Sequence, residues 1–301
     1  MSFNNRREFL FVYSVKDANP NGDPLNANQP RFDSETGQIL VSDVRIKRTI
    51  RDQWMRNGLS VFVDSEPKTL KTRIEELKKE FNVKTGKEAL EKCIDTRLFG
   101  VTYALENESF SLTGPVQFKW GRSLHKAKIE FIQGTAAFST KDEKEQRSFR
   151  NEYLVPFVVL GVYAIANQYP SEESKATDND VEYIKDGLWE GTTNLITRSK
   201  FGHQPRLLME IRYKEDFEGM IGALDEKINL TRDRKLLNDD EQLSLRDLKT
   251  TAINIDHLNS KLPLLKDQIE KINLIIETGL LVEGLDEMES MLGDRFQLLE
   301  R

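Results

Sequence analysis

Residues 9–15, Phe-Leu-Phe-Val-Tyr-Ser-Val, form an almost unbroken apolar and aromatic run. A half-exposed strand alternates apolar with polar, whereas this pattern fits a strand covered on both faces. The run ends in Asp17-Ala-Asn-Pro-Asn-Gly-Asp-Pro24, a cluster of turn formers that can neither continue a strand nor start a long helix. A second polar stretch holding Pro30 and Gly37 follows. Ser42 then opens a helix, with Asp43 in its electropositive first turn and Asn57-Gly58 as its stop. Ile46, Ile50 and Trp54 recur every fourth residue as its buried stripe. Lys47, Arg48 and Arg51 occupy the adjoining arc, with Arg45 and Arg56 further round.

The order of elements beyond this helix sets the fold class. Residues 64–95 are charged but balanced and place Ile74, Leu77 and Phe81 at helical spacing, as in a solvated helical insert. Strands are expected at 114–120 and 128–138, joined by a basic link at 121–128, and residues 139–150 read as a polar loop. The most apolar strand of the chain, at 153–166, precedes a helix over 178–197 and a last strand at 207–213. Strand, helix, two or more strands, helix, strand is the ferredoxin-like order, α+β, with both helices on one face of an antiparallel sheet. Residues 215–301 read as mainly helical, notably over 217–228 and 262–276.

Charge separates these parts. The net charge of −6 hides a net of +3 over residues 1–214 and −9 over 215–301. Binding follows the local field, so a basic surface can sit on an acidic protein. Residues 115–128 carry Lys119, Arg122, Lys126 and Lys128 without an acid, and residues 198–206 carry Arg198, Lys200 and Arg206 likewise. If these two stretches meet the basic helix, they form a phosphate-tracking surface. Asn19, Asn21 and Gly22 expose backbone amides where a phosphate can approach. Phe201 offers a stacking face to an unpaired base, while Trp120 is expected in the core.

Enzyme signatures are largely missing. The sequence holds no Walker loop, GxGxxG, GxSxG or HExxH, and the single cysteine, Cys93, has no thiol partner. His125, His203 and His257 are scattered and read as surface or packing residues rather than metal ligands. Asp17, Asp23 and Asp33 supply carboxylates of the kind that hold a divalent cation, although turn capping explains them as well. With no apolar signal core and no apolar run long enough to span a bilayer, a cytoplasmic location is expected.

Two stretches resemble a known family. Residues 12–24 (VYSVKDANPNGDP) together with 37–52 (GQILVSDVRIKRTIRD) are similar to the N-terminal signature of the backbone subunit of type I CRISPR effector (Cascade) complexes, within the RAMP superfamily and closest to the subtype I-B branch. Residues 95–100 (DTRLFG), 114–118 (GPVQF) and 200–208 (KFGHQPRLL) extend the similarity, which covers about residues 8–214. The resemblance implies an RRM-like palm, 1–57 with 114–214, carrying a thumb-like insertion near 121–152 and a helical finger-like insertion over 58–113. It implies a non-catalytic protein without cofactor or metal that polymerises along CRISPR RNA and presents it for pairing with target DNA. Implied partners are further copies of the chain, a large subunit, a guide 5′-end-capping subunit and a processing endoribonuclease. The implied RNA contacts are Asn19, Asn21 and Gly22 in the loop and Arg45, Lys47, Arg48 and Arg51 on the helix. Arg122, Lys126, Lys128, Arg198, Lys200 and Arg206 are added from charge alone. Two other readings stand beside this one: a metal-dependent endoribonuclease of the same superfamily using Asp23, and a structural oligomeriser without nucleic acid.

Overall fold

The computed structural model describes residues 2–105, 108–135 and 149–301. Its main sheet is built around Arg7–Ala18, the strand that contains the apolar run. That strand runs antiparallel to His203–Tyr213 on one side and to Phe149–Ala166 on the other. Phe11 pairs with Val162 across one ladder and with Leu208 across the other. Val116–Phe118 and Gly121–Ser123 join the far side of Phe149–Ala166, and Gln38–Val41 lies outside Gly121–Ser123. Counted over the core strands in chain order, the sequence across the sheet is fourth, first, third, second. The result is a mixed α/β protein with a large, mostly antiparallel sheet.

The first strand is buried on both sides, as its composition requires. Phe9, Phe11, Tyr13 and Val15 face the helices, and Leu10 and Val12 face the opposite layer. The helix Asp43–Arg56 begins where Ser42 Oγ accepts from Arg45 N at 3.3 Å, and it ends at Asn57 before Gly58 at φ +77°. Its partner helix, Asp178–Thr193, starts in a capping box between Thr177 and Asp180. The two helices touch closely because Gly187 and Gly191 carry no side chain. A Cβ at Gly187 would lie 2.6 Å from Ile50 Cγ2, and one at Gly191 would lie 2.9 Å from Thr49 O. Trp54 Nε1 donates to Tyr183 O at 2.8 Å across the same contact.

Between the first helix and the second core strand lie the helices Leu70–Phe81, Gly86–Lys92 and Ile94–Phe99, then the paired strands Gly100–Leu105 and Glu108–Thr113. Two ion pairs fasten this insert to the helix layer. Arg51 Nε donates to Asp95 at 2.7 Å, and Arg97 clasps Asp180 through two nitrogens at 3.0 and 2.6 Å. The polar loop expected at 139–150 lies outside the described residues except for its last two positions. These begin the Phe149–Ala166 strand, which pairs with Glu130–Thr135.

The expected helical C-terminal extension is corrected. Of residues 217–228, only Leu224–Lys227 is helical, as a short 3-10 turn. Leu262–Leu265 is one helical turn, after which Ile269–Ile276 is a strand paired with His203–Tyr213. Phe296–Glu300 then adds in parallel at the sheet edge. The reason is visible in Ile272, Leu274 and Ile276, which alternate and are all buried. A separate four-stranded sheet and the helices Asp239–Ser244 and Leu285–Leu292 complete this lobe. It covers the sheet face opposite the long helices. Among the described residues, no helix is long and apolar enough to cross a membrane.

Candidate nucleic-acid interface

The turn after the first strand is tied to two other segments. Asn21 Oδ1 accepts from Ser42 N at 2.8 Å and from Ser42 Oγ at 2.9 Å, so it holds the turn against the N-cap of the first helix. Asn19 N donates to Ser199 O at 3.0 Å, and Asn19 Nδ2 donates to Asn28 O at 2.7 Å. Lys200 Nζ donates to Pro20 O at 3.1 Å and also to Asn19 O. Gly22 lets the Asn28 side chain pack against the turn, since a Cβ there would fall 1.9 Å from Asn28 Oδ1 and displace it. Asn19, Asn21, Gly22, Arg45 and Lys200 therefore come together at one end of the molecule.

Among the described residues, no carboxylate pairs directly with Arg45 or Lys200 in this cleft, and Asp52 acts on Arg45 only from a distance. Arg45 is half-buried and forms no ion pair among the described residues; its Nη2 donates to Thr49 Oγ1 at 2.9 Å. Burial draws its pKa below the usual guanidinium range. Burial and the charge of Arg45 push the Lys200 amine down to about 7. His203, buried and beside Lys200, is pushed down to about 3 and is neutral. Its Nδ1 donates to Lys200 O at 2.6 Å, its ring stacks on Tyr13 at 5.9 Å, and its Nε2 makes no hydrogen bond among the described residues. An anion is the chemical complement of such a site. Phe201, next to Lys200, is 69% exposed. Trp120 is corrected: it is not core but 44% exposed, with the Arg31 guanidinium 5.8 Å from its ring centre.

The other predicted contacts divide by what holds them. Lys47 pairs with Asp43 at 3.2 Å, and Arg48 pairs with Asp52 and Ser65. Such (i, i+4) pairs at a helix surface contribute only about 0.3–0.5 kcal/mol, so a phosphate can take their place. Arg51 is different. Asp95 is 1% exposed and also accepts from Phe62 N at 2.6 Å and Val63 N at 3.1 Å. Arg51, expected among the RNA contacts, has its guanidinium engaged in this internal anchor. Arg51→Ala is expected to lose about 3 kcal/mol in a urea titration by stranding the buried carboxylate, while Lys47→Ala loses less than about 1. Equal losses would mean that the anchor carries no load.

Remote acids hold most of the remaining cations. Arg122 pairs with Asp33 at 3.0 Å, Lys126 with Asp239 at 2.5 Å, and Arg198 with Glu152 at 3.2 Å. Arg206 bonds Ser14 Oγ at 2.9 Å and pairs with Glu277. Lys119 joins Asp225 and Glu226. Lys128 is exposed and makes no ion pair among the described residues. Arg122, Lys126 and Arg206 thus each carry an acidic partner that Arg45 lacks among the described residues.

The loop carboxylates serve turns. Asp23 accepts from Leu25 N at 3.2 Å and Asn26 Nδ2 at 2.7 Å, which lowers its pKa. Asp33 accepts from Glu35 N, Thr36 N and Arg122, with the same effect. Among the described residues, no group of three or more His, Cys, Asp or Glu is placed to hold a metal ion.

Comparison with known proteins adds the last observations. A family model described as CRISPR-associated protein Cas7 matches residues 5–256. The CRISPR-associated protein Cas7 of Haloferax volcanii is 28% identical over 314 residues, covering 94% of this chain and 90% of the relative. Among solved structures, a chain of a CRISPR RNA-guided surveillance complex, pre-nicking, superposes with a TM-score of 0.59 at 14% identity. That superposition covers 98% of this chain and 96% of the other, and it speaks to the fold.

Proposed function

The chain belongs to the Cas7 family of CRISPR-associated proteins, and from that premise we propose that it is a non-catalytic backbone subunit that binds CRISPR RNA within a type I effector complex, of the I-B kind. In this reading the four core strands and two long helices are an RRM-like palm, residues 58–113 a finger, and the insertion near 121–152 a thumb. Copies assemble side by side along the guide, which pairs with target DNA, and the large subunit, the 5′-end-capping subunit and the processing endoribonuclease complete the assembly. The protein grips phosphate and shape while base pairing reads sequence.

The observation that carries this reading is Arg45, a half-buried guanidinium that forms no ion pair among the described residues, at the meeting point of the Asn19–Gly22 turn, the first helix and Lys200. Binding by phosphate contact also suits a sheet whose second face is filled by residues 215–301, since no open sheet remains on which bases can stack. Taking Arg45, Lys47, Arg48 and Arg198 as the phosphate contacts, the affinity for single-stranded RNA should fall with salt at a log–log slope of about −3 per copy. Arg45→Ala should flatten that slope by about 0.7. Fluorescence titrations across a salt series check both numbers, and a slope near zero overturns the reading.

A further inference from the structure

We infer that Lys200 is a positioning residue rather than a phosphate ligand, and that entry of a phosphate-bearing strand into the Arg45 cleft is coupled to proton uptake at its amine. The inference rests on the RNA-binding reading above and adds regulation to the same site.

The geometry comes first. Lys200 Nζ is turned inward, onto the carbonyl oxygens of Asn19 and Pro20. Only as an ammonium does it bring enough donors and charge to hold both carbonyls firmly, because a neutral amine is a poor donor. Those carbonyls belong to the turn that Asn21 fastens to the helix N-cap, so the protonation of Lys200 sets how firmly the turn stays in place.

The charges facing this amine are as follows. Arg45 approaches from the first helix and opposes protonation. His203, from its own segment, is neutral and donates to the Lys200 carbonyl. Tyr13, from the first strand, is held in its phenol form by burial. Lys16 and Asp17 lie exposed at the end of that strand, and Arg198 is engaged by Glu152. No carboxylate pairs with Lys200 among the described residues, so the amine titrates near neutrality.

A phosphate docked against Arg45 supplies the missing negative charge. It cancels the repulsion, raises the amine's proton affinity and so draws in a proton. By reciprocity, affinity must fall as the pH rises through the value of the free protein. For an amine that titrates near 7 when free and stays protonated in the complex, the loss between pH 6.5 and 8.5 is about 25-fold per copy. Dispersed surface lysines, which remain charged over that range, give none.

Isothermal calorimetry of the full chain with a 5′-hydroxyl oligouridine, in buffers of different ionisation enthalpy, reads the proton directly. The 5′-hydroxyl removes the only phosphate that titrates in this range. About one proton taken up per bound copy at pH 8, and close to none at pH 5.5, is the expected result. Lys200→Arg should bind across the whole range without the pH slope, and Lys200→Met should bind weakly and flatly. Tight binding at pH 8 without proton uptake overturns the coupling and leaves RNA binding intact. An absence of oligouridine binding at every pH overturns the underlying reading instead.

Discussion

A chain that stops after Lys214 is expected to yield no soluble, folded protein, even though every core strand and both long helices lie before that point. Residues 215–301 supply most of the second buried cluster, from Leu224 through Ile253 to Leu292. Their loss bares eight palm side chains of that cluster, Leu10, Val12, Phe157, Val159, Leu207 and Met209 among them. At roughly 1.5–3 kcal/mol for each large side chain returned to water, the cost is on the order of 10–20 kcal/mol, an upper bound that already matches the whole net stability of an ordinary domain. The His203–Tyr213 strand also loses its ladder to Ile269–Ile276 and becomes an exposed apolar edge, which favours aggregation. Expression and thermal melting of the truncated chain test this. A cooperative, soluble 1–214 fragment would show the C-terminal lobe to be an appendage.

How far the sequence revealed this architecture depended on whether the deciding partner was near or remote along the chain. The first strand and first helix were legible because their signals are local: an apolar run, a cap at Ser42, and a stripe of Ile46, Ile50 and Trp54 that is buried as its spacing requires. The C-terminal lobe was not. Leu265, Ile269, Ile272 and Ile276 fit helical spacing, yet Ile272, Leu274 and Ile276 fit a strand equally well. The ladder to Leu207–Tyr213, about sixty residues upstream, decides between them. The acidic partners of the basic residues were hidden for the same reason. Local counts found basic stretches without acids, whereas Arg51, Lys126 and Arg206 find Asp95, Asp239 and Glu277 far along the chain. Residues 95–100 were notable only for a resemblance, and folding gives Asp95 and Arg97 the task of fixing the insert to both long helices. Arg45, which forms no ion pair among the described residues, sits on the helix where the basic pattern was densest.

Glu210→Ala is expected to cost about 3–5 kcal/mol. Glu210 and Arg7 are both 0% exposed and pair at 2.9 Å on neighbouring strands. Lys185 Nζ reaches the other Glu210 oxygen at 2.9 Å, as does Asn273 Nδ2. Truncation strands the Arg7 guanidinium with Glu182 and Asp178, which lie nearer the solvent, and leaves Lys185 and Asn273 without their shared acceptor. Burial alone would raise the Glu210 pKa, but Lys185 and Arg7 overcome it and hold the carboxyl down to about 2. The unfolded chain binds that proton near pH 4.3, so the contribution is complete above that pH and drains away as the pH falls toward 2. Denaturant titrations of the parent chain should therefore lose stability steeply between about pH 4.5 and 2, and Glu210→Ala should lose less over that window because its share is already gone. Arg7→Met combined with Glu210→Leu should recover part of the loss, because the costly state is a buried guanidinium that has lost its buried partner rather than the absence of a pair. A single variant within about 1 kcal/mol of the parent, or identical acid profiles for the two, would place the stability of this sheet in its apolar layers alone.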